Sequence, residues 1–160
     1  MEDFNELYKT ITELFPSIEN STINFFLDCC TYSSKEIIER SEITLKKPYG
    51  LNHILLRSPL FGVSFVQINK DQGTSYHYHT IRKEFFLVKN GELTLIKESG
   101  VSKLRAFEVE KSTPHEKHSL KNRGEDLLEI LEIFTPPLLN DKVRVQDSYD
   151  RKLGDVNYME

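Results

Sequence analysis

Apolar positions change their spacing once along this chain. Phe4, Leu7, Tyr8, Ile11, Leu14 and Phe15 recur at three and four, which predicts a helix with one apolar face, ended by Pro16. Ile23, Phe26, Leu27 and Cys30 keep that spacing and predict a second helix over about 21–31. Ser33-Ser34-Lys35-Glu36 fits a capping box opening a third helix that carries Ile37 and Ile38. Residues 1–44 therefore read as a helical extension whose apolar faces need a surface, either the domain that follows or a partner copy.

From about Leu45 the period becomes two, and turn residues arrive regularly. Candidate strands lie at 53–57, 61–69, 75–79, 84–89, 92–97, 104–110, 117–122 and 127–134. Asn90-Gly91 reads as a hairpin turn between two of them. The run Leu127–Phe134 fits a buried helix or a strand by pattern alone. Its place between a polar turn at 122–126 and Pro136-Pro137 makes it a strand. Short strands punctuated by Gly, Asn and Pro predict an all-β barrel or jelly roll.

Composition narrows the partners. With 160 residues, 38% apolar content and ten Phe, the chain can build one well-filled core. A net charge of −4 argues against nucleic acid as the main partner, because phosphate neutralisation needs a clustered positive surface. The opening residues are acidic with no apolar run behind them, and no stretch approaches the ~18 apolar residues of a membrane span. A cytoplasmic protein without a membrane partner is expected. Cys29 and Cys30 are adjacent, a poor geometry for a mutual disulfide, and are expected to be buried thiols.

The candidate chemistry lies between His77 and Asn122. In His77-Tyr78-His79 an extended backbone puts both imidazoles on one face and Tyr78 on the other. Glu84 opens the next apolar run, and His118 opens a later one. Converging inside a small barrel, His77, His79, Glu84 and His118 would hold one divalent transition metal: Zn, Mn, Fe, Co or Ni. His53 reads as a strand histidine with a local hydrogen bond, and Arg82 and Lys83 as residues of an exposed turn.

The string H-x-H-x4-E-x6-G from His77 to Gly91, followed by His118, resembles the two motifs of the cupin superfamily. Residues 47–151 further resemble the cupin domain of type II phosphomannose isomerases. The likeness runs through Lys47-Pro48-Tyr49-Gly50, the ligand string, His118-Ser119-Leu120-Lys121-Asn122, and the tail Asp141–Arg151. Departures cluster at the site: His77 stands at a position that is commonly Gln, Phe85 where a His is found, and His115 where a Gly precedes the last ligand. The resemblance implies a cupin jelly roll over residues 45–160, a bound metal, a sugar or sugar-phosphate ligand and a homodimer paired through edge strands.

It further implies an isomerase or epimerase of the mannose-6-phosphate isomerase type. Glu116 and Lys117, beside His118, are the candidate proton-transfer groups, and Arg144 the candidate clamp for phosphate or sugar hydroxyls. The same ligand set would serve an Fe(II) dioxygenase, or a regulatory cupin that binds a sugar without turning it over.

Overall fold

The alternation that begins near Leu45 folds into two six-stranded antiparallel sheets in the computed structural model of the chain, which describes residues 4–156. The first three and last four residues of the expected helical extension and barrel lie outside that range. The strands are β1 (Ile43–Lys47), β2 (Gly50–Arg57), β3 (Gly62–Ile68), β4 (Tyr76–Tyr78), β5 (Lys83–Asn90) and β6 (Leu93–Lys97). They continue with β7 (Gly100–Leu104), β8 (Val109–Ser112), β9 (His118–Lys121), β10 (Leu128–Thr135), β11 (Lys142–Gln146) and β12 (Gly154–Val156). One sheet runs β1-β2-β3-β10-β5-β8, the other β12-β11-β4-β9-β6-β7, and the two face each other as a jelly roll.

Three helices precede them: α1 (Phe4–Leu14), α2 (Asn20–Thr31) and α3 (Ser34–Ile38). At α3 the expected capping box is formed in both directions. Ser33 Oγ accepts from the Glu36 amide, and Glu36 accepts from the Ser33 amide, each at 3.2 Å. The apolar helix faces pack on the outer side of the first sheet. There Ile11, Phe26 and Ile37 meet Phe65, Phe85, Leu131 and Ile133. Cys29 and Cys30 are free, buried thiols in this layer, and burial pushes Cys29 up to about 11. No helix among the described residues is long and apolar enough to cross a membrane.

This layering explains why β3 and β10 are buried along nearly their whole length. Leu131 and Ile133 of β10 face the helices, whereas Leu128 and Ile130 face the barrel interior with Val66, Phe86 and Leu95. A strand covered on both faces loses the hydrophobic–polar alternation that marks a half-exposed one. Asn90-Gly91 joins β5 to β6, but not as the hairpin expected: β5 pairs with β10 and β8 in one sheet and β6 with β7 and β9 in the other, so the chain crosses between sheets here. Gly91 has φ of +84°, and a Cβ there would come within 2.8 Å of the Leu127 carbonyl oxygen.

The single strand expected over 104–110 is instead two strands separated by a turn. Leu104 ends β7 in one sheet and Val109 starts β8 in the other, so the chain must turn to cross between them. Phe107 takes φ of +67° at this crossing, and the Arg105 amide donates to the Glu108 carboxylate at 2.8 Å. Strands β1, β11 and β12 were not among those expected. They lie at or next to sheet edges, where burial leaves a weaker pattern.

Candidate metal centre

Strand register brings the histidines together. His77 of β4 lies opposite His118 of β9, and directly opposed residues point to the same face, here the barrel interior. His79, two residues beyond His77, shares that face. One ring nitrogen from each of the three lies within 4.8 Å of the others, and all three rings are buried. Glu84, at the start of β5, closes the group: its Oε1 is 3.2 Å from His79 Nε2 and 3.2 Å from His118 Nε2.

The other ring nitrogens are all taken by backbone carbonyls. His77 Nδ1 donates to the Ser75 carbonyl at 2.8 Å, His118 Nδ1 to the Glu116 carbonyl at 3.0 Å, and His79 Nδ1 to the Asp141 carbonyl. A carbonyl only accepts, so each Nδ1 must carry a proton, and in the neutral ring Nε2 is then a bare lone pair. Burial pulls His77 well below the usual imidazole range, helped by Lys142 and the neighbouring rings. It also lowers His79, with Glu84 partly opposing. Burial alone would raise the Glu84 carboxyl, but charge on His79 and Arg82 outweighs it and holds Glu84 well below the ordinary range. The result is a set of acceptors facing one another without a donor. Among the described residues neither His79 Nε2 nor Glu84 Oε1 makes a hydrogen bond. A cation between them satisfies this arrangement, and the donor set suits a divalent transition metal.

Arg82 corrects the expectation of an exposed turn residue. It is 1% exposed, with its guanidinium 4.1 Å over the Phe134 ring. It donates to Glu84 Oε2 at 2.8 Å and to the Leu138 carbonyl at 3.2 Å, and lies 3.6 Å from Glu132. By occupying Oε2 it leaves Glu84 to present Oε1 to the imidazoles. Lys83 is half-buried and donates to the Leu14 carbonyl of α1 at 2.9 Å. His53 is the strand histidine expected, 2.9 Å from both Thr44 and Gln67.

No family model matches the chain, and no curated protein does. Solved structures do. A sugar phosphate isomerase from a cupin superfamily in Silicibacter pomeroyi is 20% identical with a TM-score of 0.50, over 59% of this chain and 65% of that one. An RmlC-like cupin from Shewanella frigidimarina is 16% identical with a TM-score of 0.54, over 61% and 86% of the respective chains. The oxalate decarboxylase of Lactobacillus farciminis is 17% identical with a TM-score of 0.58, over 64% of this chain and 33% of that one. The chain has a cupin fold.

The interior of this barrel is nearly full. A cavity of about 10 Å³, room for about one water, is bounded by His77, Glu84 and His118, with Tyr49, Glu132 and Lys142 around it. Burial and the neighbouring Glu84 push Glu132 up to about 7 against the pull of Arg82. Burial and the charges of Lys47 and Arg82 bring Lys142 down to about 7. Arg144 is 6% exposed, sits opposite His77 in register, and donates to the Lys152 carbonyl at 2.9 Å. Glu116 and Lys117 are half-buried and do not line this cavity. The Glu116 carboxylate is 3.2 Å from Lys97, and Lys117 is 3.4 Å from Glu98. Arg82, Glu132, Asp141 and Lys142 are the site residues that pattern reading missed. The available signal was the pair of glutamates, Glu129 and Glu132, interrupting an apolar run.

Proposed function

We propose that this cupin is a metal-dependent enzyme of carbohydrate metabolism, an isomerase or epimerase acting on a sugar phosphate or nucleotide-linked sugar. The observation that carries this reading is the convergence of bare imidazole nitrogens and an ionised carboxylate with no donor among them. His77, His79, Glu84 and His118 would hold the ion, which would act as a Lewis acid that polarises substrate oxygens. The chain's own groups do the rest. Glu132 and Lys142 border the cavity, where a carboxyl and an amine near neutral can exchange protons with a ligand. Arg144 faces the same interior and orients the anionic part of the ligand. Glu116 and Lys117 meet what projects beyond the cavity.

The sugar phosphate isomerase of similar fold and the tail likeness to phosphomannose isomerases support the isomerase reading over others. The test is aldose–ketose interconversion of phosphorylated sugars by protein loaded with Zn²⁺, Mn²⁺, Co²⁺ or Ni²⁺ without oxygen. Turnover that His118→Ala abolishes is expected. Oxygen uptake dependent on Fe(II), with no anaerobic turnover, would replace the isomerase with a dioxygenase.

A further inference from the structure

The outer face of the second sheet carries a pocket that the metal centre does not use. Successive residues of a strand point to opposite faces, so Tyr76 beside His77 and Ser119 beside His118 both face outward. Ile96 lies opposite Ser119 and Gln146 opposite Tyr76, which carries this outer face across β6, β9, β4 and β11. Together with Lys121 of β9, and Asp147 and Ser148 just after β11, these residues enclose about 320 Å³, enough for a small molecule. The wall formed by the tail is tied down. The Tyr149 hydroxyl donates to Gln72 at 2.6 Å, and the Asp147 carboxylate accepts from the Arg151 amide at 2.6 Å and from its guanidinium at 2.9 and 3.0 Å.

This pocket presents donors and a surplus of positive charge. The Lys121 side chain runs over Gly73, where a Cβ would come within 2.3 Å of the lysine Cδ. Its ammonium has three donors and makes one hydrogen bond, to the Thr74 carbonyl at 3.2 Å; among the described residues it has no ion pair. Burial and the charge of Arg123 lower the Lys121 pKa, Arg151 adding to this and Asp147 opposing it. Asp147 is already spent, since both its oxygens accept from Arg151 and its side chain is 1% exposed. The Tyr76 and Ser148 hydroxyls and the Gln146 amide group make no hydrogen bond among the described residues. An anion with several acceptor oxygens answers this set, and bonds to an ammonium are the stronger kind. Because Lys121, Arg123 and Arg151 outnumber Asp147, a phosphate monoester, with about −1.5 to −2 charge at neutral pH, balances the pocket better than a carboxylate. A bare inorganic ion would leave most of the volume empty, whereas an ester lays its organic part on the Tyr76 ring and Ile96.

We propose that this pocket is a second ligand site, which takes a small phosphate monoester with Lys121 as its anchoring cation. The site lies on the reverse of the strands that carry His77 and His118, so its occupancy does not depend on the metal centre. Calorimetric titration of the full chain with phenyl phosphate should saturate at one per chain, with or without EDTA, and equally in His118→Ala. Lys121→Met should weaken phenyl phosphate by about tenfold or more, the loss expected for a charge-assisted hydrogen bond, with an unchanged near-ultraviolet circular dichroism spectrum. Tyr76→Phe, which removes one hydroxyl, should weaken it by about two- to tenfold. Absence of saturable binding, or parental affinity in Lys121→Met, would overturn the proposal. Binding lost with EDTA or in His118→Ala would overturn it as well, because the ligand would then sit at the metal. Benzoate or phenol binding as tightly as phenyl phosphate would remove phosphate as the recognised group and the proposal with it.

Discussion

Asp141→Asn tests how the tail supports the candidate metal site. The Asp141 Oδ2 atom accepts from the Ile81 and Arg82 amides at 2.8 Å each, and Oδ1 from the Thr80 amide at 3.1 Å and the Thr80 hydroxyl. This one carboxylate ties down the turn between His79 and Glu84, while its backbone carbonyl fixes the His79 tautomer. An asparagine amide keeps a single acceptor oxygen. If that oxygen holds the Ile81 and Arg82 amides, its NH₂ confronts the Thr80 amide. One charge-assisted bond is then lost and two are weakened, a cost of about 2–4 kcal/mol. For a chain of this length that lowers Tm by roughly 5–15 °C. Loosening the turn also frees Arg82 and Glu84 to shift, and weakening outer hydrogen bonds of this kind costs about 10–100-fold in metal affinity. Thermal unfolding of the metal-free protein and a Co²⁺ titration measure the two effects separately. A variant with parental Tm and parental cobalt affinity would refute the role assigned to the tail.

His79→Ala should abolish tight metal binding and leave a folded barrel; full occupancy by elemental analysis would remove His79 from the ligand set. Glu84→Gln should lose the metal as well, and it should also lose about 3–5 kcal/mol of stability because Arg82 is left with an incomplete partner. Glu132 titrates near 7, above the ordinary carboxyl value of 4.5, so its stabilising contribution is complete below pH 4.5 and lost as pH rises through 7. In the metal-free protein Glu132→Gln should therefore gain on the parent by on the order of 3 kcal/mol between pH 5 and pH 8; a constant difference in Tm across that range would contradict this. We also expect a homodimer, since the sheets end in open edges at β1, β8, β7 and β12, and light scattering at one chain mass would count against it.

Local periodicity was enough to find the helices, the α3 cap and the turn at Asn90-Gly91, because each depends on neighbours a few residues away. The period of two alone puts His77 and His79 on one side of a strand. That this side is the interior, opposite His118, was decided by pairing between β4 and β9, which no local pattern encodes. Arg82 shows the limit most clearly. In sequence it is a charge in a polar turn, yet Glu84, Glu132 and Phe134 from two strands make its burial tolerable. The break at 105–108 has the same origin, since a crossing between sheets is a property of the whole topology. Asp141 and Lys142 gain their roles only when β11 lies along β4. Side-chain spacing is a short-range property and can be read along the chain. Whether a charge is buried, and what neutralises it, depends on contacts between residues distant in sequence, and the tertiary structure alone sets those.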